Sequence, residues 1–335
     1  MIIYRYFLLT ISLCITLLVS PLHAQEAGTP EPSNDIPLID KEQEAKLDQG
    51  QKMVSERLMG AAQWIDSFFE DGRSISEENT TRATLKLELE YTKHDDFEFK
   101  PRVNIRLKLP HLEDRANLLI QGSDDNDFDV DGDPTTPSNQ DTDRGQLEAA
   151  LQYFIYDSVA QNFSTQFGGS YNYLYAGLRY RYLTTWDKWS FRLTDRIRWY
   201  TDDGFENKLA IDLERKLTDK ILFRAVTNVT WAEDEDGVPH SELFRVYHVL
   251  NEEQAILYEA GLFLDTEPEY EVTDVSFKVR FRQRFYRDWL VMEITPQVNF
   301  PEDHEYEANP GILLRFEASF GYDSDTDTFN KIFNF

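Results

Sequence analysis

Between Val275 and Phe285 a base stands at alternate positions: Lys278, Arg280, Arg282 and Arg284. The positions between them hold Phe277, Val279, Phe281 and Gln283. A file of cations backed by a mostly apolar file is equipped to attract anions, not to make or break bonds. The same parity recurs elsewhere. Lys100, Arg102, Arg106 and Lys108 share one phase, as do Arg179 with Arg181, and Arg192 with Arg196 and Arg198. Arg82, Lys86, Lys208, Arg224, Arg245 and Arg315 join them, against Glu88, Glu90, Glu98, Glu148, Glu206, Asp212, Glu214, Glu259, Glu293 and Glu317 in the matching phase. Bases outnumber acids in this set roughly two to one, within a chain whose net charge is −27. Two uses of such charges compete. They can pair across strands as ladders, for example Arg196 and Arg198 with Asp212 and Glu214. Alternatively, the unpaired surplus can line an anion-favouring channel.

Two other groupings could carry chemistry. Asp127, Asp129 and Asp131, followed by Gly132, are spaced like the first half of a calcium loop, where alternate carboxylates converge on one ion. Its twelfth position is Ser138 instead of Glu, so the expectation is a weak calcium site within an acidic exterior loop. No other cofactor is implied. His94-Asp95-Asp96, His240 and Asp303-His304-Glu305 lie in connecting segments, and a His/Asp cluster is the equipment of a hydrolase. No GxSxG nucleophile motif accompanies them. The preferred reading is therefore not an enzyme, and a surface hydrolase or adhesin acting through the acidic loops is the alternative.

The elements that must position these residues are strands. From Thr81 to Gly321 the chain alternates apolar and polar residues, and no run between the strands could supply a layer to cover the apolar face. Lipid outside and water or charge inside satisfies both faces. The expected fold is all-β, a transmembrane antiparallel β-barrel of about 14 strands, with 12 or 16 also compatible. The strands fall near 81–92, 97–109, 116–123, 147–157, 163–173, 176–185, 189–201, 205–217, 221–232, 241–250, 254–265, 273–285, 289–300 and 310–321. An Arg on the lipid face costs about 2–4 kcal/mol at the midplane, which fixes the phase of 189–201 even though Asp195 then faces outward. Short connectors alternate with long acidic ones, so the short set belongs to the periplasmic side. Trp186, Trp189, Phe285 and Trp289 sit at short turns, and Tyr91, Tyr173, Trp199, Tyr200 and Trp231 at the opposite strand ends. These are the two aromatic bands expected at bilayer interfaces.

Residues 1–24 read as a secretory signal, with Arg5, an apolar run and Leu22-His23-Ala24 as cleavage site. The single cysteine, Cys14, lies within it, so the mature chain is expected to lack thiol chemistry. Residues 25–39 read as a flexible Pro-rich leader. Residues 40–73 read as an amphipathic periplasmic helix striped by Leu47, Val54, Leu58, Ala61, Ile65 and Phe68. The helix is acidic and tethered just ahead of a basic wall, so it is expected to dock at or partly inside the periplasmic opening. Residues 81–321 form the barrel and 322–335 a C-terminal tail.

The partners expected are outer-membrane lipid and lipopolysaccharide, the barrel-assembly machinery and small anionic solutes. The acidic balance argues against nucleic acid. The alternation, the aromatic bands, the signal and the closing stretch from Ile312 to Phe320 together resemble monomeric outer-membrane porins. More loosely, they resemble a group of proteobacterial barrels with an acidic helix ahead of the barrel. That resemblance implies a fold and a location in the outer membrane and carries no functional motif. Separately, an even strand count is expected to place both ends of the barrel in the periplasm.

Overall fold

Where apolar and polar residues alternate, the chain is extended, and among the described residues no second layer covers the strands. The computed structural model describes residues 64, 65, 68, 69, 82–94, 97–108, 115–122, 148–267 and 269–320. The strands are β1 (Arg82–Thr92), β2 (Glu98–Lys108), β3 (Ala116–Gly122), β4 (Glu148–Asp157), β5 (Gln161–Gly169), β6 (Leu174–Trp186) and β7 (Trp189–Tyr200). They continue as β8 (Gly204–Lys216), β9 (Ile221–Ala232), β10 (His240–Asn251), β11 (Gln254–Asp265), β12 (Glu271–Phe285), β13 (Arg287–Asn299) and β14 (Asn309–Phe320). Each strand pairs antiparallel with the next, and β14 returns to β1 with Ala83 opposite Phe320 and Thr92 opposite Gly311. The sheet is thus a closed barrel of 14 strands. Closure leaves no unpaired edge, the condition a sheet must meet in hydrocarbon.

Burial separates the two faces of the wall in the reverse of the usual sense. Leu85, Phe99, Val103, Phe277, Val279 and Ile312 are exposed, while Arg198, Arg224, Arg282 and Glu293 are among the largest fully buried side chains. An apolar outer skin around a charged interior is the arrangement lipid demands. Trp186, Trp289 and Phe285 at the short-turn end, and Trp199 and Tyr91 at the other, are exposed on that skin. Tyr173 and Tyr200 are not part of the outer band. They are buried inside against Tyr175, Leu119 and Ala150, because Tyr200 shares the parity of Arg196 and Arg198.

Local chemistry sets the hairpins. Asp187 takes φ 50° between Trp186 and Trp189, a left-handed position that Asp tolerates in a two-residue turn. The β5 boundary departs from the sequence expectation of 163–173. The backbone N–H of Ser170 donates to the carbonyl of Tyr173 at 2.9 Å, closing a turn where continued strand was expected. Short connectors gather at one end of the barrel, and because the strand number is even the chain enters β1 and leaves β14 at that end.

The signal segment, the leader, the tail after Phe320 and most of the expected helix lie outside the described residues. Trp64, Ile65, Phe68 and Phe69 are helical and buried.

Candidate functional site

The charged interior divides into two arcs of different chemistry. The first runs from β12 through β13 and β14 to β1 and β2, where Arg280, Arg282, Arg315, Arg102 and Lys100 each meet a carboxylate. Glu293 on β13 stands opposite Arg282 of β12 on one side and Arg315 of β14 on the other. It accepts from Arg280 Nη2 at 3.0 Å, Arg282 Nη1 at 3.2 Å and Arg315 Nη1 at 2.9 Å. Arg282 also donates to Glu317, and Arg315 to Glu88. Glu88 in turn holds Arg102 Nη2 at 3.1 Å, and Lys100 meets Glu98 at 2.9 Å. Buried charges survive only when paired, and this chain of alternating sign crosses five strands to meet that condition. Further round the wall, Arg245 meets Glu259 at 2.6 Å and Arg224 meets Glu214 at 2.7 Å. Arg224 also donates to the hydroxyl of Tyr247 at 2.9 Å.

The second arc, β5 to β8, is organised differently. Arg179 on β6 stands directly opposite Arg196 on β7, and Arg196 directly opposite Lys208 on β8. Like charges placed opposite one another in adjacent strands are destabilising. The carboxylate of Glu206 serves two of them, at 3.6 Å from Arg196 and 3.8 Å from Lys208. One residue row further, Arg198 binds neutral groups. It donates to Gln166 Oε1 and to the hydroxyl of Tyr200, each at 3.1 Å, and lies over the ring of Tyr175 at 4.8 Å. Gly177 lies opposite Arg198 and makes room for it, since a Cβ there would stand 2.8 Å from Arg198 Cγ. Arg181 turns to the β4–β5 turn and donates to the carbonyl of Ser158 at 3.2 Å. This arc sets bases beside bases, with neutral amides, phenols and carbonyls among their partners.

The ladder expected between Arg196 or Arg198 and Asp212 or Glu214 is replaced by another register. Asp212 stands opposite Arg192 and Glu214 opposite Ser190, while Glu214 engages Arg224 on β9. Parity separates the two faces of a strand, but it carries no information on which residues stand opposite one another. Arg106 is buried on the same inner face, and Lys278 stands opposite Glu259. Arg284, at the short-turn end, donates to the carbonyl of Glu252 at 3.2 Å.

Of the histidines, the fold brings His94 and His304 together, their rings edge-to-face at 4.3 Å. His240 stands apart from that pair against Tyr270, 3.0 Å from its hydroxyl. Asp127, Asp129 and Asp131 lie outside the described residues, among which no group of three or more metal-ligating side chains occurs. The interior apolar patches at Leu222, Val249, Ala255 and Leu257, and at Tyr173, Tyr175 and Tyr200, escaped sequence reasoning. Their common parity with neighbouring arginines was the available signal.

Comparison with solved structures returns loose likenesses. The chain is similar to bacterial outer-membrane porins. It covers 99% of the KdgM porin over 71% of its own length, at 8% identity and a TM-score of 0.34. The outer membrane channel DcaP of Acinetobacter baumannii is covered to 96% over 72% of this chain, at 6% identity and a TM-score of 0.43. OmpT of Vibrio cholerae is covered to 96% over 72%, at 11% identity and a TM-score of 0.42. Likenesses this loose carry no argument about what the interior does. No family model and no curated protein matches the chain.

Proposed function

We propose that the protein is an outer-membrane channel of porin-like type whose interior favours small anions, with both chain ends and the short turns on the periplasmic side. The observation that carries this reading is the row Arg179, Arg196 and Lys208, three cations directly opposite one another across β6, β7 and β8. Bases set side by side in one row of the inner wall are what rings of Arg and Lys supply in anion-favouring pores. The exposed apolar skin supports placement in a bilayer, and the concentration of short connectors at one end supports the orientation. The polar and charged groups of the inner face suit hydrated solutes. The acidic exterior loops and the pair His94 and His304 belong to the outer mouth in this orientation.

The test is the reversal potential of single channels in a salt gradient. Anion preference is expected, and Arg179→Gln with Arg196→Gln should reduce it while the barrel still shows heat-dependent gel migration. A barrel that folds and conducts cations in preference, with the double variant indistinguishable from the parent, removes the reading.

A further inference from the structure

On the inner face of β9, β10 and β11, at the short-turn end, polar groups give way to apolar ones. Leu222 lies next to the start of β9, and Val249 and Ala255 flank the β10–β11 turn, with Leu257 beside them. All four share the parity of inward Arg224, Arg245 and Glu259, so they face the interior and not lipid. Apolar side chains lining an aqueous bore need a cover. The cover is part of this chain: Trp64, Ile65, Phe68 and Phe69 form one buried cluster with those residues and Tyr247.

The contacts are specific. Trp64 and Phe68, one helical turn apart, stack at 4.8 Å, and Phe69 meets the ring of Tyr247 at 5.4 Å. Arg284 lies 5.2 Å from the ring of Phe68 and Arg280 5.7 Å from that of Phe69. Cation–π contacts of this kind contribute about 0.5–2 kcal/mol each, the upper end when desolvated. The rings therefore rest on two guanidiniums of the inner wall as well as on its apolar patch.

We propose that the segment bearing Trp64, Ile65, Phe68 and Phe69 is a plug built into the chain, seated on this patch and narrowing the bore at its short-turn end. The inference rests on the channel reading above. Strand spacing of about 4.8 Å and a tilt of about 40° give a barrel of 14 strands a backbone diameter of about 28 Å. Inward side chains reduce that bore to a width close to the 10–12 Å or so of a helix. The contacts described for the seat are between side chains, and tethering within the same chain keeps the segment at millimolar-order effective concentration. Release of the segment leaves the barrel ladder intact.

The experiment uses the chain from Gln25 onward, which lacks Cys14, inserted in planar bilayers and in liposomes. Trp64→Ser with Phe68→Ser and Phe69→Ser should raise single-channel conductance several-fold and leave heat-dependent gel migration unchanged. Phe69→Cys with Tyr247→Cys should join through a short bis-methanethiosulfonate reagent, each cysteine thiolate displacing a sulfinate to form a disulfide, hold conductance at its low level, and regain the high level when a reducing thiol cuts the link in the presence of the serine changes at Trp64 and Phe68. Equal conductance in the parent and the triple serine variant overturns the plug and leaves the channel reading standing. Conductance in neither overturns the channel reading and the plug with it. Failure of the cysteine pair to cross-link in inserted protein overturns the seat.

Discussion

Glu293 shows how much one side chain settles inside this wall. It is almost wholly buried and accepts from three arginines on two neighbouring strands. Removing one partner of a buried pair leaves uncompensated charge, at a cost of about 3–5 kcal/mol. Glu293→Gln is therefore expected to destabilise the barrel by about 3 kcal/mol, seen as a lower urea midpoint at unchanged slope. An unaltered midpoint would mean that water already screens these groups. Parity placed Glu293 inside with Arg280 and Arg282, and that much was legible in the sequence. Its bond to Arg315 was not, because β14 meets β13 only through their own register. Tyr200 makes the complementary point. Its position at a strand end suggested the lipid interface, but its parity with Arg198 took it inside, where it accepts that guanidinium's hydrogen bond.

Among the elements, β12 carries the clearest alternation and gives the sharpest test of which face meets lipid. Phe277 and Val279 are exposed, and Lys278 between them stands opposite Glu259. Val279→Lys is expected to cost about 2–4 kcal/mol, since the residue lies near mid-strand on the lipid face, whereas Lys278→Gln should stay within about 1 kcal/mol. Denaturant titration of both variants in detergent or liposomes measures the difference. Equal costs would mean that the faces are assigned the wrong way round. Strand existence was readable nearly throughout because alternation is a local signal. The end of β5 was not, because the turn closed by Ser170 and Tyr173 depends on a backbone hydrogen bond that composition does not mark.

At the scale of the whole molecule, closure joins residues more than two hundred positions apart. Arg315 and Glu88 are paired across the β1–β14 seam, and Gln297 reaches Glu90 at 2.7 Å. Arg315→Ala, Glu88→Ala and the double variant should form a non-additive cycle, with a coupling of about 1–3 kcal/mol in urea unfolding. Additive effects would mean that the seam pair contributes no interaction of its own. The sequence by itself determined that this protein is a chain of strands with a charged face and an apolar face, and that lipid must meet the apolar one. That followed because side chains alternate strictly along a strand and because charge in hydrocarbon is costly. The tertiary structure alone decided which charges stand opposite one another, since register is a relation between strands and is absent from any one of them. It placed Arg179, Arg196 and Lys208 in one row, gave Glu293 its third arginine, and set Trp64 and Phe69 against the inner wall.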